Sequence, residues 1–418
     1  MYTLDLEIGA EAVLISPTAT DSNATITVNG DPVATGTASS VKPLNLGDNT
    51  FTVEVTGPNC QSQSYILEVT RASHLTQRAY IKASNTDADD FFGGSVSLYG
   101  DTLAVSAPSE DSSATGIDGD QGDNSAEDGG AVYVFRWTGS VWAQEAYIKA
   151  SNTHENGFFG ASLSLYEDTL AVGDETGLSG AVYVFRRTGS IWTQEAHINE
   201  SEDIGLSNFG GSVSLYEDVL AIGASHDDSG STGINGDPGN YLAMDSGAVY
   251  VFHRTGSIWT QEAYVKPSNT YFENYFGGVV SLHGNILAVG ATGESSSATG
   301  IDGEQHDYSA INSGAVYVFR RTDDTWTQEA YIKASNPDEN DTFGNGVSLY
   351  EDTLAVSAYG EDSNATGING DQLDNSVERS GAVYMFRRTD NTWTQEAYVK
   401  ASNPNENDTF GGGMSLFE

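Results

Sequence analysis

From residue 92 onward, apolar side chains alternate with small or polar ones in short runs, the period of a half-buried strand rather than of a helix. Residues 95–99, 102–107, 130–135 and 141–148 form four such runs in succession, and the same order of four returns after Phe159, Phe209, Phe276 and Phe343. Each block opens on a Phe-Gly pair, at Phe92, Phe159, Phe209, Phe276, Phe343 and Phe410, with spacings of 67, 50, 67, 67 and 67 residues. A fixed period of this length predicts stacked repeats that bury their apolar faces only against each other. Four short antiparallel strands per repeat predict an all-β fold, a β-propeller with five complete blades.

Residues 1–72 follow a different pattern. Short alternating runs are interrupted by turn residues, and Asn29-Gly30 between two such runs predicts a tight hairpin. This segment reads as a small β-sandwich, and residues 73–418 as the propeller. Residues 74–84 match the fourth strand of a repeat, although no first three strands precede them, and the chain stops just after the first strand of a sixth unit. The arc is therefore expected to be open or strained, with unpaired edges.

The Phe-Gly opening, the Leu-Ala-Val-Ser-Ala-Pro second strand (Leu103 to Pro108) and the Gly-Ala-Val-Tyr-Val-Phe third strand (Gly130 to Phe135) resemble FG-GAP repeats, the blades of integrin α-subunit propellers and of many bacterial surface proteins. That resemblance implies seven blades, so the chain reads as truncated from a longer protein. Asp21 to Gly30, Leu46 to Thr50 and Leu67 to Arg71 resemble the bacterial cadherin-like β-sandwich, a spacer module of secreted and surface-anchored proteins that usually begins with one more strand. Both resemblances imply an extracellular or cell-surface location.

Composition narrows the partners. With 17 basic against 59 acidic side chains, the formal charge of −42 repels nucleic acid and anionic lipid, and no apolar run reaches the roughly 20 residues of a membrane helix. The single cysteine, Cys60, excludes an internal disulfide framework. The seven histidines fall at unrelated repeat positions, which implies no catalytic base or histidine metal cluster. The tryptophans at 142, 192, 259, 326 and 393 share one repeat position and are expected to pack between blades.

Propeller topology puts the loops after strand four and between strands two and three on one face, and the other turns on the opposite face. The first set is acidic; the second holds eight of the eleven arginines, expected to form a solvated rim with acidic turn residues such as Glu167 and Asp168. Four blades share Thr-Gly-Ile-(Asp/Asn)-Gly-(Asp/Glu) in the long loop between strands two and three, whereas the second blade has only a short connection. Carboxylates two and three residues apart around a glycine can supply several oxygens to a hard cation. On that ground Asp118, Asp120, Asp123, Asn235, Asp237, Asp302, Glu304, Asp307, Asn369, Asp371 and Asp374 are candidate calcium ligands. Two observations oppose this: Asp or Asn before Gly also simply makes a turn, and integrin propellers place calcium between strands one and two.

The resulting expectation is a non-catalytic binding or adhesion module that meets a protein or glycan at its acidic loop face, with calcium as the candidate cofactor. The alternatives are an accessory scaffold of a secreted enzyme, or a glycosidase or lyase whose site opens where the second blade lacks its loop, near His226, Asp227 and Asp228.

Overall fold

The computed structural model describes residues 2–6, 12–71, 77, 79–175, 180–200 and 207–417, and the chain divides into two compact units, 1–80 and 81–418. In the first unit a five-stranded sheet runs in the order Tyr2–Leu6, Ser62–Arg71, Gly47–Thr56, Thr25–Val28, Asp31–Val33, and Ala12–Val13 pairs with Lys42–Pro43 in a second sheet. Only the first pair of the larger sheet is parallel. The predicted hairpin is present: Asn29 and Gly30 both adopt positive φ (49° and 87°), the twist that two-residue connections need. Leu44, Phe51 and Val69 form the core of this unit, and Cys60 lies exposed in a turn.

The second unit is the expected series of four-stranded antiparallel blades. The first comprises Val96–Tyr99, Thr102–Ala107, Ala131–Trp137 and Trp142–Ile148; the fourth comprises Phe276–His283, Ile286–Ala291, Ala315–Thr322 and Thr325–Ile332. Alternation places one row of side chains on each face of a blade, so the cores lie between blades. Val132, Val134 and Ile148 of the first blade pack against Leu163, Leu165, Val172 and Tyr183 of the second. First strands are tied in sequence around the axis: the N–H groups of Leu165, Leu215, Leu282, Leu349 and Leu416 donate to the hydroxyls of Ser97, Ser164, Ser214, Ser281 and Ser348, each at 2.9 Å.

Tight approach explains the glycines. A Cβ on Gly247, whose φ is +78°, would lie 2.0 Å from the carbonyl oxygen of Phe276 in the next blade, so the Phe-Gly pair and the glycine before strand three are two halves of one contact.

A bulge makes the second inter-blade contact. In each hairpin of strands three and four the register skips one residue, which is Glu145, Glu195, Glu262, Glu329 or Glu396. Bulges re-aim side chains. Here four of these glutamates turn to the next blade and accept the indole N–H of Trp192, Trp259, Trp326 and Trp393 at 2.6–2.9 Å. The same glutamates meet Arg187, Arg254, Arg321 and Arg388 at 2.5–3.5 Å. The tryptophans pack between blades as expected, but these four arginines do not belong to a solvated rim: burial against the neighbouring blade makes them part of the joint.

The orphan fourth-strand segment forms no paired strand among its described residues; instead Ile81 and Ala83 lie against Tyr133 and Phe135 of the first blade. The inner strand of that blade leaves Leu98 59% exposed, whereas its counterpart Leu165 is 6% exposed.

Candidate functional site

The long loops are anchored at three levels, all beneath the face they share with the connections after strand four. Outermost, the Thr-Gly-Ile segment turns back to the edge of its own blade. Ile117, Ile234 and Ile301 bridge Ile148, Val265 and Ile332, and Gly367–Ile368 pairs with Thr392–Lys400. The loop thus covers the outer edge of the fourth strand.

Next comes the residue that follows Ile. Asp118, Asn235, Asp302 and Asn369 have φ between 54° and 56°, and the side-chain oxygen of each accepts the backbone N–H of Tyr147, Tyr264, Tyr331 and Tyr398 at 2.9 Å. A capping oxygen and tolerance of left-handed backbone are what Asp and Asn share, so the two interchange here. The remaining candidate ligands are also engaged locally. Asp120, Asp237, Glu304 and Asp371 accept the N–H two residues on, at 2.9–3.0 Å. Asp123 accepts from Ser113 and Ser125, and Asp307 from Ser297 and Ser309; these hydroxyl bonds hold both carboxyls below the usual range. Asp374 lies in the corresponding loop of the fifth blade, where Leu373 accompanies it at the surface. Among the described residues no three His, Cys, Asp or Glu side chains converge as a metal set.

Deepest is a polar cluster that sequence patterning passed over. In the first blade Glu110 accepts from Lys149 (2.7 Å), Tyr147 (2.8 Å), Asn85 (2.9 Å) and the Ser112 N–H (3.1 Å), while the Tyr133 hydroxyl donates to Asn85 (2.5 Å). The fourth and fifth blades repeat the ion pair with Glu294 and Lys333 at 2.7 Å and Glu361 and Lys400 at 2.5 Å. In the third blade Asp227 pairs with Lys266 at 3.2 Å and also accepts from Tyr264. All four pairs are buried. Burial lowers Lys149 and Lys333, and Lys266 to about 8, with the neighbouring acid opposing the shift. Asp227, named above beside a possible catalytic opening, is therefore the structural acid of its blade with a side chain one methylene shorter. A signal was available: five of the six lysines in the chain, at 82, 149, 266, 333 and 400, occupy one repeat position.

The second blade lacks this arrangement. Asn199 stands at the lysine position and His197 at the tyrosine position, where it stacks on Tyr183 at 4.4 Å. Asp174 is buried at the end of strand two with one carboxyl oxygen unpartnered, and burial raises it to about 6. Glu200 also has an unpartnered oxygen, and burial followed by the charge of Asp227 raises it to about 7. Residues 176–179 of the short connection lie outside the described part. In the fifth blade burial, then the charges of Glu361, Asp338 and Asp362, raise Asp341 to about 8 against the N–H it accepts from Asp338.

The opposite face holds the arginine turns. Arg136, Arg187, Arg254 and Arg388 meet Asp101, Asp168, Asp218 and Asp352 of the turns between strands one and two at 2.5–3.2 Å. No helix among the described residues is long and apolar enough to cross a membrane.

The family model for the FG-GAP repeat matches residues 75–135, 142–185, 192–252, 259–319 and 326–386, and that for the cadherin-like beta sandwich domain matches residues 1–72. No curated protein sequence matches the chain. Among solved structures, a putative 6-phosphogluconolactonase from Bacteroides uniformis is 8% identical over 85% of this chain and 93% of its own, with a TM-score of 0.38. TolB from Acinetobacter baumannii is 7% identical over 85% of this chain and 61% of its own, with a TM-score of 0.37.

Proposed function

We propose, from the premise that this chain belongs to the FG-GAP repeat family, that its repeat unit is a non-catalytic extracellular binding module whose ligand-facing side carries the long loops. The supporting observation is the loop anchoring itself. Four loops of the same kind are fixed on one side of a repeated scaffold by an edge bridge, an Asp or Asn cap and a buried acid–lysine pair. Surfaces held this rigidly lose little conformational entropy on binding, which suits recognition of a protein or glycan. The sandwich at residues 1–72 fits the role of a spacer.

Face-specific blocking tests this reading. With Cys60→Ser as background, a bulky polymer is attached through Leu373→Cys on the long-loop face or through Ser140→Cys on the opposite one, and binding to glycan and peptide arrays is compared. Loss of binding with the first label alone supports the proposal; loss with the second alone, or with neither, overturns it. Cation assistance belongs to the same proposal and is read by thermal melting: a rise with calcium that a chelator reverses keeps it, and coincident curves remove it.

A catalytic reading would begin at Asp174 and Glu200, carboxyls of the second blade that burial holds partly protonated near neutrality. Turnover on a panel of glycans that is lost in Asp174→Asn or Glu200→Gln would establish it in place of the binding role.

A further inference from the structure

One junction on the long-loop face departs from the repeat in a coordinated way. In the first blade the Asn124 amide donates to Asp87 at 2.9 Å, and in the fifth Asn375 donates to Asp338 at 2.9 Å, each time linking the loop between strands two and three to the preceding connection. At the fourth blade both partners change together: Tyr271 stands at the aspartate position, Tyr308 at the asparagine position, and their rings stack at 4.3 Å with 29° between planes. Phe272 follows Tyr271, with ring centroids 4.2 Å apart, where the other connections carry Ala88, Glu155, Gly205, Glu339 and Glu406.

The three rings are 36%, 48% and 43% exposed for Tyr271, Phe272 and Tyr308. The patch continues onto the third blade, because Glu273 donates its N–H to the carbonyl of Met244 at 2.8 Å, and the Leu242 and Met244 side chains beside that contact are exposed. An isolated exposed apolar residue such as Leu373 needs no explanation, but a cluster of aromatic, Met and Leu side chains on a face rich in carboxylates has the composition of an interface centre. Glu273 and Asp307 flank its rings in the chain, and Glu304, which His306 contacts, lies in the same loop as Tyr308.

We infer that the junction of the third and fourth blades is a docking patch for a cationic protein segment, one that presents arginine or lysine side chains to the tyrosine and phenylalanine faces. This rests on the long-loop face being the binding side. The choice of partner follows from charge. Aromatic faces attract guanidinium and ammonium groups, the surrounding carboxylates add to that attraction, and a formal charge of −42 steers cations toward the protein and anions away.

The test uses the full chain, a hepta-arginine peptide, its hepta-citrulline counterpart and a neutral cello-oligosaccharide, in 0.15 M salt. The informative variant is the double substitution Tyr271→Asp with Tyr308→Asn, which installs the pair that the first and fifth blades already use and makes the protein one charge more negative. An unchanged melting curve shows that it folds. The expected result is binding of the arginine peptide about tenfold weaker to this variant than to the parent chain, and at least tenfold weaker binding of citrulline, with Phe272→Ala reducing affinity severalfold. Equal or tighter binding by the more acidic double variant would mean that bulk charge alone attracts the peptide and would overturn the patch. Equal binding of citrulline, or competition by the oligosaccharide, would overturn the cationic partner. Either outcome leaves the long-loop face itself to the polymer-blocking experiment, whose failure shows as indifference to the Leu373→Cys label.

Discussion

The second and fourth blades share a backbone plan but solve burial differently. The fourth has a long loop, and beneath it Lys333 and Glu294 lie out of contact with water at 2.7 Å, with Ser313 accepting a further bond from the lysine at 2.8 Å. The second has only a short connection between strands two and three in its sequence, and it carries neither the lysine nor the tyrosine that would accompany it. A buried ion pair needs the polar groups around it to be satisfied, and the long loop supplies most of them through Ser296, Ser313 and the Gly300 carbonyl that accepts from the Lys333 N–H, while the Tyr331 hydroxyl stays buried without a partner. Loop and ion pair are therefore one device, lost together in the second blade.

The strongest way to break the comparison is Lys333→Met, which leaves Glu294 buried without its cation. Unfolding by denaturant should show a loss of about 3–5 kcal/mol, whereas Asn199→Ala at the same repeat position of the second blade should change stability by less than about 0.5 kcal/mol. Truncating the tryptophan at the joint, Trp326→Ala, should cost about 3–5 kcal/mol as well, because it removes a buried ring and leaves the Glu262 carboxylate one donor short.

A smaller effect is expected at the cap. Asp302→Ala leaves the Tyr331 N–H without its acceptor and should cost about 1–2 kcal/mol, whereas Asp302→Asn should be nearly neutral, since the third and fifth blades already use Asn235 and Asn369 there. Calorimetric melting of the two variants separates a capping role from one that depends on negative charge.

The smallest effect is the pH dependence, and its sign differs between the buried carboxyls and the buried lysine. Asp174, Glu200 and Asp341 are raised by burial to about 6, 7 and 8, so the folded state holds their protons more tightly than the unfolded chain does. The stability they contribute is complete below about pH 4 and is lost as pH rises to about 8. Lys266, lowered to about 8, acts oppositely, adding stability as pH rises from about 8 toward the ordinary lysine value. Melting midpoints should therefore fall from pH 5 to pH 8, and Asp341→Asn should flatten that fall; Asn274 already holds the equivalent position in the fourth blade.

The five four-stranded units of this chain, their strand order and the inter-blade tryptophans were legible because each is a periodic feature of the sequence. Four of the eight turn arginines were misjudged because their partners are the bulge glutamates of the preceding blade: Arg254 is 59 residues from Glu195, and nothing local marks that distance. The loop carboxylates were read as candidate cation ligands from their spacing. The bonds that Asp118, Asn235, Asp302 and Asn369 accept from the Tyr147, Tyr264, Tyr331 and Tyr398 N–H groups depend on how the loop folds back, which spacing alone does not specify.

By itself the sequence determined that this protein is a set of self-similar blades behind a small sandwich, since strand period, turn chemistry and a repeat length are local properties that need no partner to be expressed. Only the tertiary structure decided which charges are solvated and which are buried. Lys149 and Lys82 look alike in sequence, yet the first sits under a loop against Glu110 and the second is exposed. The environment that fixes a charge is assembled from several strands and loops at once, and it exists only after the blades have stacked.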